Sequence, residues 1–380
     1  MDQAKEIMKT VVYKPEGFKP AAHESQFIIE GTLGQGGMGT IYDAFDRNIR
    51  RKIAIKSINS EGAQNAVSRK YFTKEAQITG QLEHPNIIPV YEMGINPQGR
   101  LYYVMKRVEG MTLADVLDGI KDGQRRMIRQ YSLPVLLSIY QKVLDAISYA
   151  HARGVVHLDL KPENIMVGEF GEVLVLDWGI ARLRRRSPNI DQSRFVTLDD
   201  SVNIGAEQEN EQVIGTPAFM APEQATGKAA NIGTRTDVYA LGAILYNILT
   251  LRAPAAGKTT TVVLKKIVTG RLIDPLSYNE PNNKKKDIIF LKHLPDEKIP
   301  ETLSKICMKA MEEKLDDRYQ KVGDLQGDLY AYFSGYATTA EAAGPMRRLS
   351  LYISRNKYLI ITVFLVILIN IIVLIITLIN

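Results

Sequence analysis

Two short stretches concentrate polar groups that could act on a phosphate: His157-Leu158-Asp159-Leu160-Lys161-Pro162-Glu163-Asn164, and Leu176-Asp177-Trp178-Gly179 shortly after it. The β-prone runs Ile165 to Val167 and Val173 to Leu176 lie between them and predict a hairpin. Such a hairpin would carry the groups at 159, 161, 164 and 177 to one cleft. Phosphoryl transfer needs a base for the attacking hydroxyl, cations for the phosphates and oxygen ligands for magnesium. A polar turn before a hairpin would account for one such cluster but not for both.

Upstream, Gly34-Gln35-Gly36-Gly37-Met38-Gly39 is weak evidence by itself, because any tight turn can use glycine. Its flanks are informative. A dinucleotide-binding turn runs straight into a helix, whereas Thr40-Ile41-Tyr42 favours a strand. A strand-turn-strand hairpin is expected, able to fold its amides over a triphosphate. In the next strand, Ile53-Ala54-Ile55-Lys56, Ala54 and Lys56 share one side. An inward lysine is costly unless paired, and Glu75 on the following helix is the natural partner, although a surface ion pair worth little would leave the same trace.

The elements that must position these residues change character along the chain. Phe27 to Leu33, Thr40 to Phe45, Lys52 to Ile58, Ile88 to Met93 and Leu101 to Arg107 read as strands, with a helix over 65 to 82. Beyond Gly110 longer amphipathic helices take over, among them Leu133 to Arg153, Asp237 to Thr250 and Glu301 to Glu312. The fold class expected is α+β, a small β-rich lobe (27–108) followed by a large helical lobe (109–336), after an N-terminal tail (1–26).

Composition excludes little: 45% hydrophobic and 24% charged residues are ordinary for a globular chain. The single cysteine, Cys307, rules out an intramolecular disulfide and reads as a buried, inert thiol in a reducing compartment. The net charge of +6 could point to nucleic acid. No nucleic-acid motif accompanies it, so none is expected as a partner, and Arg347, Arg348, Arg355 and Lys357 crowd beside an apolar run instead.

That run, Tyr358 to Ile379, has no charge and is interrupted only by Thr362, Asn370 and Thr377. As a helix it would span about 33 Å, which suits a bilayer core of about 30 Å. One C-terminal transmembrane helix (358–379) is expected, preceded by a basic juxtamembrane linker (337–357). Cations before the span place the rest of the chain in the cytoplasm, so a single-pass protein of the cell (inner) membrane is expected, its cations near anionic headgroups of the lipid bilayer. Met1 to Thr10 is too charged for a signal peptide, and only Asn380 follows the span, which favours an anchor over a receptor stalk. Asn370 could pair with a second copy in a homodimer or be a tolerated lone polar residue.

Residues 27 to about 336 resemble a bacterial Hanks-type (eukaryotic-like) serine/threonine protein kinase. The motifs occur in that family's order, continuing through Gly215-Thr216-Pro217, Ala221-Pro222-Glu223, Asp237 and Arg318-Tyr319-Gln320. The resemblance implies ATP and Mg2+ (or Mn2+) as cofactors and protein substrates with serine or threonine. It makes Asp159 the base and Lys161 a support for the moving phosphoryl group, with Asn164 and Asp177 as metal ligands. Lys56, held by Glu75, would grip the α- and β-phosphates under Gly34 to Gly39. Leu33, Ile41, Ala54 and Met166 would wall the adenine, with Thr40 beside them, Met105 as gatekeeper and Lys106 to Val108 as hinge. Structural support would come from His157, Thr216, a Glu223–Arg318 pair, and Asp237 anchoring the catalytic loop. His84, before Pro85-Asn86-Ile87, reads as part of a turn.

Three positions depart from the family pattern. Trp178 stands where phenylalanine is usual, Lys106 occupies an often acidic hinge position, and Leu158 replaces an arginine beside the catalytic aspartate. The segment between Asp177 and Glu223 is long, with Arg182, Arg184, Arg185 and Arg186 at its start and Asp199, Asp200, Glu207, Glu209 and Glu211 later; it reads as a solvated loop in which Ser193, Thr197 and Ser201 could be autophosphorylated. Residues 274–298, with Lys284-Lys285-Lys286, read as a surface insertion. A pseudokinase scaffold of the same fold is the alternative, weakened by the presence of Lys56, Glu75, Asp159, Lys161, Asn164 and Asp177; a small-molecule kinase would normally lack the Ala-Pro-Glu segment. Without an arginine at 158 to meet a phosphate on that loop, phosphorylation should not be the main on-switch. Turnover measured before and after phosphatase treatment is expected to be unchanged, and a large loss would overturn this.

Overall fold

Alternating apolar residues with short turns between them build an antiparallel sheet at the start of the chain. The computed structural model describes residues 26–37, 39–179, 181–183, 217–227, 229–257, 259–279 and 289–379, with side chains through Ile372 and at Leu374. The expectations attached to the N-terminal tail before residue 26, to Met38, Thr216, Lys284 to Lys286 and the loop residues 184–211 lie outside the described residues.

The described chain divides into two compact units, one running to Thr73 and resuming over Val90–Arg107, the other formed by Lys74–Pro89 and the chain from Val108. In the first, β1 (Phe27–Gln35), β2 (Gly39–Asp46), β3 (Arg51–Ile58), β4 (Val90–Ile95) and β5 (Leu101–Lys106) form one sheet in the order β1-β2-β3-β5-β4. Its pairings are all antiparallel. One face buries Ala44, Ile53, Ile55, Tyr102 and Val104. Cross-strand register puts Ile41 opposite Lys56 and Ala54 opposite Met105, so these four share the other face. Phe72, on the helix Ala66–Gln81, packs against Tyr103 with ring centres 5.3 Å apart.

The second unit is mainly helical: Leu113–Lys121, Leu133–Ala152, Thr234–Thr250, Glu301–Ala310 and Val322–Phe333 surround one large core. The helix Thr234–Thr250 is buried along almost its whole length. It begins before the expected Asp237 because the Thr236 hydroxyl accepts the Gly233 N–H at 3.1 Å and caps its first turn. A Cβ on Gly242 would lie 2.7 Å from the Ala310 Cβ, so glycine permits the helix Glu301–Ala310 to cross closely. Cys307 sits at that crossing, fully buried, its thiol donating to the Gly242 carbonyl at 3.4 Å. Burial, with Asp274 adding to it, pushes the thiol pKa well above its ordinary value, which suits an inert cysteine. Small sheets β6 (Gly110–Thr112) with β8 (Ile165–Gly168) and β9 (Val173–Val175), and β7 (Val155–Val156) with β10 (Arg182–Leu183), complete this unit.

At the C-terminus, Pro345–Arg355 forms a helix inside the stretch expected as a linker, and a second helix runs from Lys357 to Ile379. Among the described residues no single helix is long and apolar enough to cross a membrane; Pro345–Arg355 and Lys357–Ile372, bent by 81°, could do so as a pair by length and composition.

His293 illustrates how the second unit resists protonation. Its Nε2 donates to the Ile248 carbonyl at 2.8 Å, while its buried Nδ1 has no partner among the described residues. Burial lowers its pKa from 6.5, only partly opposed by the Ile248 hydrogen bond. The unfolded chain therefore takes up a proton before the folded one does. Stability is complete above about pH 6.5 and erodes as the pH falls below it. The melting temperature should drop on acidification through this window. His293→Gln, which keeps a donor for Ile248, should flatten the slope, leaving the part due to His84, whose pKa burial also lowers.

Candidate active site

A buried carboxylate organises the loop between β7 and β8. Asp237 is completely buried, and its oxygens accept the His157 and Leu158 amides at 2.8 Å each. His151 Nε2 approaches the same carboxylate at 2.7 Å. Leu158 adopts φ 68, a left-handed conformation costing about 1–2 kcal/mol for a side chain of this kind. Both sides of that residue are held: Asp237 takes its N–H, and Gln224 Nε2 donates to its carbonyl at 2.8 Å.

His157 spends both ring nitrogens on the backbone. Nδ1 accepts the Asp159 N–H at 3.2 Å, which leaves Nε2 to carry the proton and donate to the Leu176 carbonyl at 3.0 Å. The ring therefore bridges the two motifs and has no nitrogen left to shuttle a proton. It also packs on Trp178, fully buried, at 4.5 Å between ring centres. The bulkier aromatic thus fits the core, although its Nε1 has no partner among the described residues.

Three of the side chains expected to do chemistry, Asp159, Lys161 and Asn164, meet here. Lys161 Nζ donates to Asp159 Oδ2 at 2.7 Å, and Asn164 Nδ2 donates to the same oxygen at 3.1 Å and to the Asp159 carbonyl at 2.8 Å. Asp159 Oδ1 has no partner among the described residues and is available to accept a hydroxyl proton. Because Asn164 uses its nitrogen on Asp159, its carbonyl oxygen is the group it can offer to a cation. Asp177, exposed at φ 57, presents a carboxylate after β9. Among the described residues no group of three or more His, Cys, Asp or Glu side chains clusters as a metal site. One carboxylate and one amide oxygen nonetheless fit magnesium, which usually completes its shell with water and substrate phosphates. Gly179 matters in the following turn: a Cβ there would lie 3.2 Å from both Asp177 Oδ1 and the Oε2 of buried Glu75.

In the first unit the glycine hairpin is closed by reciprocal Gly36 and Gly39 backbone bonds, with the Asn59 amide donating to the Gly37 carbonyl at 2.9 Å. A Cβ on Gly39 would collide with the Ser57 carbonyl, so strand pairing itself demands glycine there. Leu33, Gln35, Gly36 and Gly37 are exposed; Gly34, Thr40, Ile41, Lys56 and Met105 are half-buried, and Ala54 is buried. Lys56 Nζ lies 5.9 Å from the ring centre of Tyr103, its cross-strand partner. Glu75, Val108 and Met166 belong to the second unit, where Met166 on β8 pairs with Leu174 and Thr112.

Below the loop, Arg318 and Glu223 meet through two 2.9 Å bonds, both nearly inaccessible to solvent. The remaining guanidinium donors reach the carbonyls of Arg235, Glu312 and Glu313, and the Thr236 hydroxyl donates to Glu223 Oε1 at 2.8 Å. Sequence reasoning missed His151, Gln224, Thr236 and Asn59. Gln224 directly follows the Ala-Pro-Glu segment, and that adjacency was the one available signal; the others meet their partners only through tertiary folding. His84 is in the turn expected of it, its Nδ1 accepting the Asn86 N–H at 3.1 Å and its ring stacked on Tyr149.

Residues 27–321 match the family model for the protein kinase domain. The chain belongs to the protein kinase family. Among curated relatives it is 35% identical over 313 residues to the serine/threonine-protein kinase PknD of Protochlamydia amoebophila (strain UWE25), covering 80% of this chain and 29% of that protein. It is 33% identical over 307 residues to PknD of Chlamydia abortus (strain DSM 27085 / S26/3), covering 80% and 30%. PknD of Chlamydia pneumoniae is 33% identical over 316 residues, covering 82% and 31%. The chain thus spans about three tenths of the length of these relatives.

The Glu223–Arg318 pair gives a stability prediction for this kinase domain. Arg318→Met would leave a buried carboxylate without its counter-charge, at a cost of about 3–5 kcal/mol. Urea denaturation should show this loss, and a Glu223→Gln, Arg318→Met double variant should recover part of it.

Proposed function

We propose that the chain is an ATP-dependent protein kinase that transfers the γ-phosphate to serine or threonine hydroxyls of protein substrates. The observation that carries this reading is the loop geometry: Lys161 and Asn164 both bond Asp159 Oδ2, no other described residue bonds Oδ1, and the backbone is held by Asp237. Asp159 orients the substrate hydroxyl and accepts its proton as the oxygen attacks. Lys161 lies beside that carboxylate and neutralises charge on the moving phosphoryl group. Lys56 is assigned to the α- and β-phosphates, with Glu75 as the partner the family resemblance gives it and the amides of Gly34 to Gly39 on the same phosphates. Leu33, Ile41, Ala54, Met105, Val108 and Met166 are assigned to the adenine. Asn164 and Asp177 are the residues that would hold magnesium, which when bound neutralises the phosphate oxygens.

Aliphatic hydroxyls rather than phenols as substrates are supported by Lys161 two residues after Asp159, where tyrosine kinases carry an arginine-containing variant, and by the likeness to serine/threonine-protein kinases. An ATP-binding scaffold without transfer is the competing reading, and the complete set of catalytic groups disfavours it.

The C-terminal helix supports a membrane anchor, with residues 1–357 cytoplasmic. Its described apolar side chains, from Leu359 to Leu374, are largely exposed rather than packed on the domain, as lipid-facing residues would be. Its polar groups are satisfied locally: Thr362 Oγ1 donates to the Tyr358 carbonyl at 2.9 Å and Asn370 Nδ2 to Val366 at 2.7 Å. The Asn370 carbonyl oxygen remains for a second copy in a homodimer.

Transfer from γ-labelled ATP to a generic serine-containing protein tests the enzymatic reading. Asp159→Asn should lower turnover by about 10²–10⁴-fold. Equal background from the wild type and the variant would favour the scaffold.

A further inference from the structure

The helix Pro345–Arg355 has two unlike sides. One side is docked on the kinase domain. Arg347 donates to Glu341 Oε1 through Nη2 at 2.9 Å and Nε at 3.2 Å. One turn further, Leu351 is half-buried, and after another turn the Arg355 guanidinium lies 4.0 Å from the ring centre of Tyr336. Glu341 is itself fixed, accepting from the Thr302 hydroxyl at 2.9 Å and the Thr338 amide at 3.2 Å. Burial pushes its carboxyl upward, but Arg347, Thr338 and Thr302 together outweigh this and hold it below the ordinary value. The contact is therefore a charge-assisted one on a rigid acceptor.

The opposite side carries Met346, Leu349 and Ile353, spaced as one apolar stripe and 79%, 52% and 46% exposed. Arg348 and Tyr352 flank the stripe, and residues 345–357 hold four cations and no acid. The chain then turns by 81° into the apolar helix that begins at Lys357.

We propose that Pro345–Arg355 is an interfacial helix lying in the plane of an anionic bilayer. Met346, Leu349 and Ile353 seat at the boundary of headgroups and acyl chains, and Arg348 and Lys357 meet lipid phosphates. Three observations select lipid over a protein partner: continuity with an exposed apolar helix, a near right angle between the two axes, and the positive charge of Arg348 and Lys357 in a stretch that holds no acid of its own. A helix in the plane followed by one along the normal is the arrangement that angle describes. Because Arg347 and Arg355 grip the domain from the other side, the helix would also set the orientation of the domain toward the membrane. The proposal rests on the anchor reading of the Lys357–Ile379 helix.

The test uses the full chain reconstituted in vesicles of equimolar phosphatidylcholine and phosphatidylglycerol. Leu349→Cys, Ile353→Cys, Ser354→Cys and Leu365→Cys each receive an environment-sensitive maleimide fluorophore; buried Cys307 stays unlabelled under native conditions. Iodide quenching at 349 and 353 should be several-fold weaker than at 354, with strong quenching by headgroup-proximal nitroxide lipids. Position 365 should respond to deep nitroxides instead. If 365 is deep while 349 and 353 stay open to iodide, the interfacial helix is overturned and the anchor stands. Shielding at 349 and 353 without nitroxide quenching would also overturn it, in favour of a second copy or another protein. If 365 is open to iodide, anchor and proposal both fall. Equal protection in pure phosphatidylcholine would overturn the role given to the cations.

Discussion

A carboxylate removed from water must find donors for its oxygens or lose the free energy of its hydration, and Asp237 finds them in the backbone of the catalytic loop. It sits on the most enclosed helix of the kinase domain, so its position is set by the packing of Thr234–Thr250 against Leu133–Ala152 and Glu301–Ala310. The His157 and Leu158 amides must come to it, and with them the strained φ of Leu158. Strain at a functional loop persists only where the surroundings over-determine it. Here Asp237 fixes one side of Leu158 and Gln224 the other. The placement of Asp159, Lys161 and Asn164 follows from that constraint.

Gln224 directly follows the Ala-Pro-Glu segment, so the loop is joined to the region around Glu223 and Arg318. Arg318 is buried with every donor engaged, and Thr236 shares Glu223 with it. Thr236 and Asp237 are neighbours in the first turn of one helix, so a single helix start serves both the ion pair and the catalytic loop. In a chain with leucine at 158, these contacts hold the loop without an arginine at that position. His157 adds a link to Leu176, and so to Asp177, through a defined tautomer.

The C-terminal part follows a different burial pattern. In the kinase domain apolar residues are inside; after Lys357 they point outward along the described helix. Pro345–Arg355 stands at the transition, with one face built from charge contacts to the domain and the other from exposed apolar residues. Its docking on Glu341 and Tyr336 means that the domain and the apolar helix are joined by a folded element.

Much of this was legible in the residues. The strand and helix periods, the glycine hairpin, the two polar motifs and the uncharged C-terminal run follow from local spacing, because side-chain direction alternates or rotates predictably along strands and helices. The family resemblance supplied the roles for Asp159, Lys161, Asn164 and Asp177, and the protein kinase match places the chain in the wider family. The hydrogen-bond partners were not legible, since His151 and Gln224 meet Asp237 and Leu158 from elements far away in sequence. Nor could spacing show that the basic stretch before the apolar run is a helix docked by Arg347 and Arg355, because a cation reads alike whether solvated or paired. Local pattern determined the elements and the chemistry available; tertiary packing alone decided which atoms meet, because a buried polar group finds its partner in space and not along the chain.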